Sequence, residues 1–208
     1  KETGELENTI ILYTADQGFM LGEHDYIDKR WMYEPSLRVP FIVRFPGHVA
    51  AGSVSDALIN NTDFAPTLLD FAGVKTPDYM QGRSVRPILE GHTPADWRTA
   101  SYYRYWMHMA HHDNPAHYGI RTKDFKLIFF YGLPLDANGA LSKPTTPDWE
   151  LYDLRKDPDE RHNVFHDPAY VQTVVQLQSQ LMQLKQEFGD PDDKYLELVK
   201  RREKTSHP

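Results

Sequence analysis

Near the start of the chain a short apolar run breaks off into an acidic loop punctuated by glycines, and few folds accommodate that junction. The run is Asn8-Thr-Ile-Ile-Leu-Tyr-Thr14. Its β-branched and aromatic residues predict a buried central strand. Asp16 falls just past the carboxyl end of that strand, where open α/β sheets place their ligand sites. Gly18 and Gly22 interrupt regular structure and allow close backbone approach. The loop to Glu34 is dense in polar groups: Asp16, Gln17, Glu23, His24, Asp25, Asp28, Lys29 and Arg30. Asp16 and Gln17 offer hard oxygens of the kind that hold Ca²⁺ or Mg²⁺. Lys29 offers a compact cation for an anionic group. Two plainer readings stand beside these, since Asp-x-Gly after a strand is also an ordinary turn and a loop lysine is ordinarily solvated.

Composition narrows the function classes. Of 208 residues, 40% are hydrophobic and 12% aromatic, enough for a packed core rather than disorder. The formal net charge is −7, which leaves no basic excess for a phosphate backbone and argues against nucleic acid. There is no cysteine, so disulfides and thiolate metal sites are excluded. No apolar run is long enough for a membrane span, and no lipidation signal occurs. The polar opening, Lys1 to Asn8, leads directly into the strand. We expect a chain that is the carboxyl-terminal portion of something longer.

Arg38 to Pro46 predicts a second short central strand, bracketed by Pro40 and Pro46. Ser53 to Asn60 alternates weakly and predicts another. Thr62 or Asp63 is positioned to cap a helix through Ala72, with Pro66 in its first turn, Gly73 at its end, and Phe64, Leu68, Phe71 and Ala72 on one face. Residues 91–98 form a junction, giving an α/β segment over 1–96 and a second, α+β segment over 97–208. Aromatic strands follow at Ala100–Trp106, His117–Thr122, Lys126–Tyr131 and Trp149–Leu154, with Lys123-Asp124 a tight hairpin and 133–148 a long loop. They predict a small antiparallel sheet. Asp167 and Pro168 open a helix whose stripe of Val171, Val174, Val175, Leu181, Met182 and Phe188 is expected to pack on that sheet, ending at Gly189. Residues 190–208 alternate in charge and predict a solvated helix and tail.

Between two of the predicted strands lie His108, His111, His112, Asp113, Asn114 and His117. The spacing matches no zinc motif. Sugar recognition, with Tyr105 and Trp106 as stacking partners, and a polar loop of half-buried imidazoles remain open. Arg121 and Lys126 read as structural.

Asp16-Gln-Gly18, Leu21-Gly-Glu-His24, Asp28-Lys-Arg30, Tyr33-Glu34 and Ser36-Leu-Arg-Val-Pro-Phe-Ile-Val43 together resemble the type I sulfatase family, formylglycine-dependent enzymes of the alkaline-phosphatase-like superfamily. Asp63 to Gly73, Met80-Gln-Gly-Arg-Ser84 and the run from Glu150 through Asp157-Pro-Asp-Glu160 to Asn163 extend the resemblance over most of the chain. The texture of 28–34 is most similar to sulfatases of glycans, including glucosamine-6-sulfatases.

The resemblance implies an alkaline-phosphatase-like α/β sulfatase fold, of which this chain is the carboxyl-terminal part of the main sheet plus a small antiparallel sheet with a packed terminal helix. It implies sulfuric ester hydrolysis on a sulfated saccharide. It makes Asp16 and Gln17 ligands of one Ca²⁺, where the family commonly has Asn or His at the second position, and it sets Lys29 on the sulfate and its bridging oxygen. His24 is either an acid for the leaving group or a buried, hydrogen-bonded histidine. Arg30, His112 and His117 are the expected substrate contacts, because in the family this subdomain commonly lines the pocket. The Cys/Ser-x-Pro-x-Arg motif that yields formylglycine and the family's opening pair of Asp ligands are both absent. The nucleophile is therefore expected on the amino-terminal part of the same enzyme, and this chain alone is expected to be inactive. Family habit favours a periplasmic or secreted location, or a lysosomal one in a eukaryote. A phosphonate or phosphate monoester hydrolase of the same superfamily and a non-catalytic glycan-binding fragment are the competing readings.

Overall fold

The computed structural model describes residues 2–207. In chain order the principal elements are β1 (Ile11–Thr14), β2 (Met20–Leu21), β3 (Ile27–Asp28), α1 (Glu34–Leu37), β4 (Phe41–Arg44), α2 (Phe64–Phe71), α3 (Arg86–Leu89), β5 (Ala100–Tyr105), β6 (His117–Thr122), β7 (Phe125–Phe130), β8 (Asp148–Asp153), α4 (Val171–Glu187) and α5 (Leu196–Thr205). They form two compact units, one of residues 1–17 with 38–99 and the other of 18–37 with 100–208. The second boundary falls beside the expected junction. Residues 18–37, grouped by sequence order with the first segment, take their contacts from the second.

In the first unit β1 pairs antiparallel with β4, Leu12 opposite Val43 and Thr14 opposite Phe41. The expected burial of β1 is not found: Ile11 is 43% and Tyr13 63% exposed. Among the described residues β4 is its one strand partner, so these side chains keep the exposure that a central strand would lose. Ser53–Asn60 is irregular rather than a strand. The organising group is Asp63, fully buried. Its carboxylate accepts from the amides of Asn60 and Arg83 at 2.7 and 2.8 Å and takes the Arg98 guanidinium on both oxygens. Asp63 is thus the reciprocal member of a capping box opened by Asn60, which leads into α2. That helix buries Pro66 and Thr67, while Leu68 on the predicted face stays exposed. Gly82, in the Met80–Ser84 stretch, passes so close to Thr62 that a Cβ would lie 2.0 Å from its carbonyl oxygen. Only glycine fits there.

The second unit is a four-stranded antiparallel meander, β5-β6-β7-β8, as the sequence predicts. Its strands alternate strictly and both faces are covered. On one face Tyr118, Ile120, Leu127, Phe129, Trp149 and Leu151 meet Val174, Leu177 and Leu181 of α4. Asp167 caps the 3-10 turn Pro168–Tyr170 that leads into this helix, its carboxylate accepting from the Ala169 amide at 2.9 Å. Leu198 of α5 joins the same core with no exposed surface. The terminal segment is therefore packed rather than solvated. One apolar residue in a charged stretch suffices, and buried Asp192 ties the segment to Lys185 at 3.0 Å. On the other face Ile128, Phe130 and Tyr152 pack against Met20, Met32 and Tyr33. That face also carries Tyr103, Tyr105, His117, Lys126 and Glu150, and it holds the polar segment 18–37.

An ion cluster fastens this segment. Lys126, fully buried, lies 2.5 Å from Glu160 and 3.0 Å from Glu34. Glu34 also accepts a two-point contact from Arg121 at 3.1 Å. The Glu34 amide donates to Glu160 at 2.6 Å. Burial pushes the Glu34 carboxyl upward, but Lys126 and Arg121 outweigh it and hold it down at about 2. Replacing Lys126 with Met leaves the buried Glu160 carboxylate without its cation and Glu34 with Arg121 alone. We expect a loss of about 3–5 kcal/mol in urea denaturation at neutral pH.

Candidate functional site

Asp16 and Gln17 belong to the first unit. They follow β1 at its carboxyl end, and Asp16 lines a cavity of about 470 Å³ with Thr14, Ala15, Asn61, Thr62 and Phe64. The Asn61 carboxamide donates to the Asp16 carbonyl at 2.8 Å and fixes the backbone of the turn. The polar groups of this otherwise largely apolar lining are the Thr14 and Thr62 hydroxyls, the Asn61 carboxamide and the Asp16 carboxylate. Among the described residues no group of three or more His, Cys, Asp or Glu side chains is arranged to hold a metal.

Lys29, Arg30, His24, His112 and His117 belong to the second unit. Residues 20–28 are a hairpin, with Met20 opposite Asp28 and Leu21 opposite Ile27. Its turn closes through Gly22, whose amide donates to the Tyr26 carbonyl at 3.0 Å. Gly22 has a φ of 131°, and His24 and Asp25 both lie in the left-handed region at 55° and 57°. The His24 ring stacks face to face on Tyr33, with centroids 4.1 Å apart and planes 11° apart. It is half-buried, and its pKa is lowered by desolvation first and then by the charges of Lys126 and Arg161. His24 is accordingly neutral near pH 7.

Lys29 leaves the hairpin directly after β3, half-buried between Asp28 and Arg30. Asp28 is almost fully buried and accepts from the Arg30 guanidinium. Tyr103 donates to the Arg30 carbonyl at 2.8 Å. The backbone on either side of Lys29 is thus held, which fixes where its stem emerges.

His112 is exposed, with a left-handed φ of 52°, and its ring lies 6.5 Å from that of Tyr26. His117 is the correction. It has no exposed surface and is enclosed by Trp31, Tyr103, Tyr105 and Phe130, with centroids 5.0–6.0 Å away. Its Nδ1–H donates to the Pro115 carbonyl at 2.8 Å, and desolvation lowers its pKa to about 4. It faces the sheet side that carries segment 18–37, so it supports the site from within rather than from a surface. His108 uses both ring nitrogens, accepting from the Ala116 amide and donating to the Lys143 carbonyl, and this commits it to the loop.

The structure therefore gathers His24, Tyr33, Trp31 and His117 into one run of stacked rings beside Lys29 and Arg30. Tyr33 and Glu150 were missed by sequence reasoning as partners. The Tyr33 hydroxyl donates to Glu150 at 2.9 Å across 117 positions, and nothing local marks that pair. Asp28 stood in the Asp-Lys-Arg stretch without an assigned part.

The N-sulphoglucosamine sulphohydrolase C-terminal family model matches residues 22–187. The chain belongs to the sulfatase family. This sulfatase chain is 47% identical over 204 residues to N-acetylglucosamine-6-O-sulfatase of Bacteroides thetaiotaomicron, covering 96% of itself and 34% of that protein. It is 32% identical to an arylsulfatase of Clostridium perfringens, covering 87% of itself and 34% of the relative. Among solved structures, one described in complex with its substrate D-glucosamine-2-N,6-O-disulfate superposes with a TM-score of 0.82 at 48% identity, over 92% of this chain and 37% of the other. A phosphonate monoester hydrolase from Silicibacter pomeroyi superposes at 0.73 and 29% identity, over 89% and 36%. The fold is thus the alkaline-phosphatase-like α/β sulfatase fold. The sulfatase chain spans about a third of the length of the curated relatives it matches. No helix among its described residues is long and apolar enough to cross a membrane.

The burial of His117 gives a sign for pH dependence. Its folded pKa near 4 lies below the ordinary 6.5, so its neutral ring contributes fully above pH 6.5. That contribution is lost as pH falls from 6.5 through 4, and amounts to about 3 kcal/mol. His117→Phe, which cannot titrate, is expected to flatten the wild-type loss of stability over this window, measured by urea denaturation at stepped pH.

Proposed function

We propose that the protein containing this chain is a sulfuric ester hydrolase that removes sulfate from a sulfated glycan, with glucosamine 6-sulfates the first substrates to try. The observation that carries the reading is the 47% identity to an N-acetylglucosamine-6-O-sulfatase across nearly the whole chain. The superposition on a protein solved with a glucosamine disulfate supports the same substrate class.

In this reading Asp16 and Gln17 hold part of a Ca²⁺ shell, completed by residues outside this chain. Calcium, when bound, supplies the positive charge that eases the approach of two anionic groups. A formylglycine on another segment supplies the attacking hydroxyl. The residues here do the rest. Lys29 places its ammonium on the sulfate oxygens and on the bridging oxygen, where negative charge grows as the S–O bond breaks. His24, held neutral, offers an N–H to the departing oxygen, and this stabilises the alkoxide without an imidazolium. Arg30, oriented by Asp28, and exposed His112 meet the sugar, while His117 backs the aromatic floor beneath them. The chain alone lacks the nucleophile and is expected to release no sulfate. Family habit points to a secreted, periplasmic or lysosomal setting.

The test is turnover of a glucosamine 6-sulfate, an aryl sulfate and a phosphonate monoester by the complete protein. Sulfate esters are expected to be preferred. Lys29→Ala is expected to lower kcat by roughly 10²–10³, and chelation followed by Ca²⁺ return is expected to abolish and restore turnover. Undiminished turnover in Lys29→Ala, or a preference for the phosphonate, contradicts the reading.

A further inference from the structure

His24 sits on a tight turn at the rim of the second unit, in a left-handed conformation that histidine tolerates only at some cost. A turn of this kind sets where the side chain begins but not where its ring points. The ring plane is set by Tyr33, parallel to it at 4.1 Å. A face-to-face neighbour removes the rotation about χ2 that a terminal sp³–sp² torsion otherwise allows. It leaves both ring nitrogens at the edge of the stack, where a ligand atom can meet them.

Tyr33 is itself held at three points. Its carbonyl accepts from the Ser36 and Leu37 amides at 2.9 Å and starts α1. Its other face lies over Trp31, with centroids 5.7 Å apart and planes 10° apart. Its hydroxyl donates to Glu150, which also accepts from Tyr152 at 3.0 Å. Glu150 stands on β8, opposite Ile128, on the sheet face that carries segment 18–37. A carboxylate buried there needs hydroxyl donors, and an apolar residue would leave the Tyr33 hydroxyl without an acceptor.

We propose that Tyr33, anchored to β8 by Glu150, is a positioning residue for His24, holding the imidazole in the orientation that meets the leaving oxygen. The inference rests on the reading of His24 given above. The mainframe of the device is the sheet: Glu150 fixes Tyr33, and Tyr33 fixes His24. Desolvation raises the Glu150 pKa to about 6. Tyr33, Tyr152, Asp148 and Glu160 face this carboxyl, and Lys126, Arg161, Asp157 and Glu23 face His24.

The test uses the complete protein with two readouts, kcat on a sulfate ester and the NMR shift of the His24 ring proton. Tyr33→Leu removes the ring, and is expected to lower kcat about 100-fold, the scale of a general-acid contribution, with KM nearly unchanged. Tyr33→Phe keeps the ring and loses only the anchor, with an expected drop of about five-fold, the equivalent of one ordinary hydrogen bond. Glu150→Gln, whose carboxamide oxygen still accepts from Tyr33, is expected to lower kcat by no more than Tyr33→Phe does. Placed in a His24→Ala background, both Tyr33 substitutions are expected to have no further effect, because residues acting through one group are not additive. The ring-current shift of His24 is expected in wild type and Tyr33→Phe and absent in Tyr33→Leu. Equal penalties with and without His24, or a His24 resonance indifferent to Tyr33→Leu, overturn the proposal. Wild-type kcat in His24→Ala instead overturns the catalytic reading of His24, while the resonance still reports whether Tyr33 orients it.

Discussion

A lysine with no exposed surface holds the candidate site to its scaffold. Lys126 projects from β7 between Glu160 and Glu34, and the Glu34 carboxylate passes the contact on to Arg121 of β6. Desolvating a cation is costly, and here the cost is offset only because two carboxylates and their hydrogen bonds converge on one point. Glu160 takes a left-handed φ of 55° to bring its carboxylate there. The consequence reaches the site directly. Glu34 begins α1, and the residues just before it are Lys29, Arg30, Trp31 and Tyr33. A loop of so many polar groups has little apolar area with which to dock itself. Met20 and Met32 supply some of that area, and the ion cluster supplies a point that cannot slide.

That anchoring explains why the four-stranded sheet is covered on both faces. A small sheet with one covered face would show polar residues at every second position. In β6 and β7 successive residues from His117 to Ile120 and from Lys126 to Phe130 are all buried. One set lies under α4 and α5, and the other under segment 18–37. The second set includes His117 and Lys126, polar groups that are buried where they meet the site segment. Catalytic geometry built on strands is held more tightly than geometry built on loops alone. Here a loop borrows that rigidity from the sheet beneath it.

The legible parts of this chain were those with local causes. Turn residues and aromatic alternation marked β5 through β8, with Lys123-Asp124 as the hairpin, and Asp167-Pro168 marked the start of α4. The Asp-Lys-Arg and Gly-Glu-His stretches marked the candidate site because several residue types recur together there. The misreadings share a different cause. Ser53–Asn60 alternates yet forms no strand, since alternation without a partner strand specifies nothing. Residues 190–208 looked solvated because one buried leucine, Leu198, cannot announce itself among charges. His117 looked like a surface ligand, and its burial depends on which face of β6 meets segment 18–37. The Tyr33–Glu150 pair and the Asp63–Arg98 pair join residues far apart in the chain, and pairwise packing at that range leaves no trace in a single sequence.

In the proposed function Lys29, which follows Asp28 and precedes Arg30, is the cation that takes the sulfate group. The most direct measurement is a crystal structure of the complete protein with Ca²⁺ and a bound glucosamine 6-sulfate. The expected result is Lys29 Nζ within hydrogen-bonding distance of a sulfate oxygen, with Asp16 and Gln17 on the cation. A sulfate group seated away from Lys29, on other cationic groups of the protein, would contradict it.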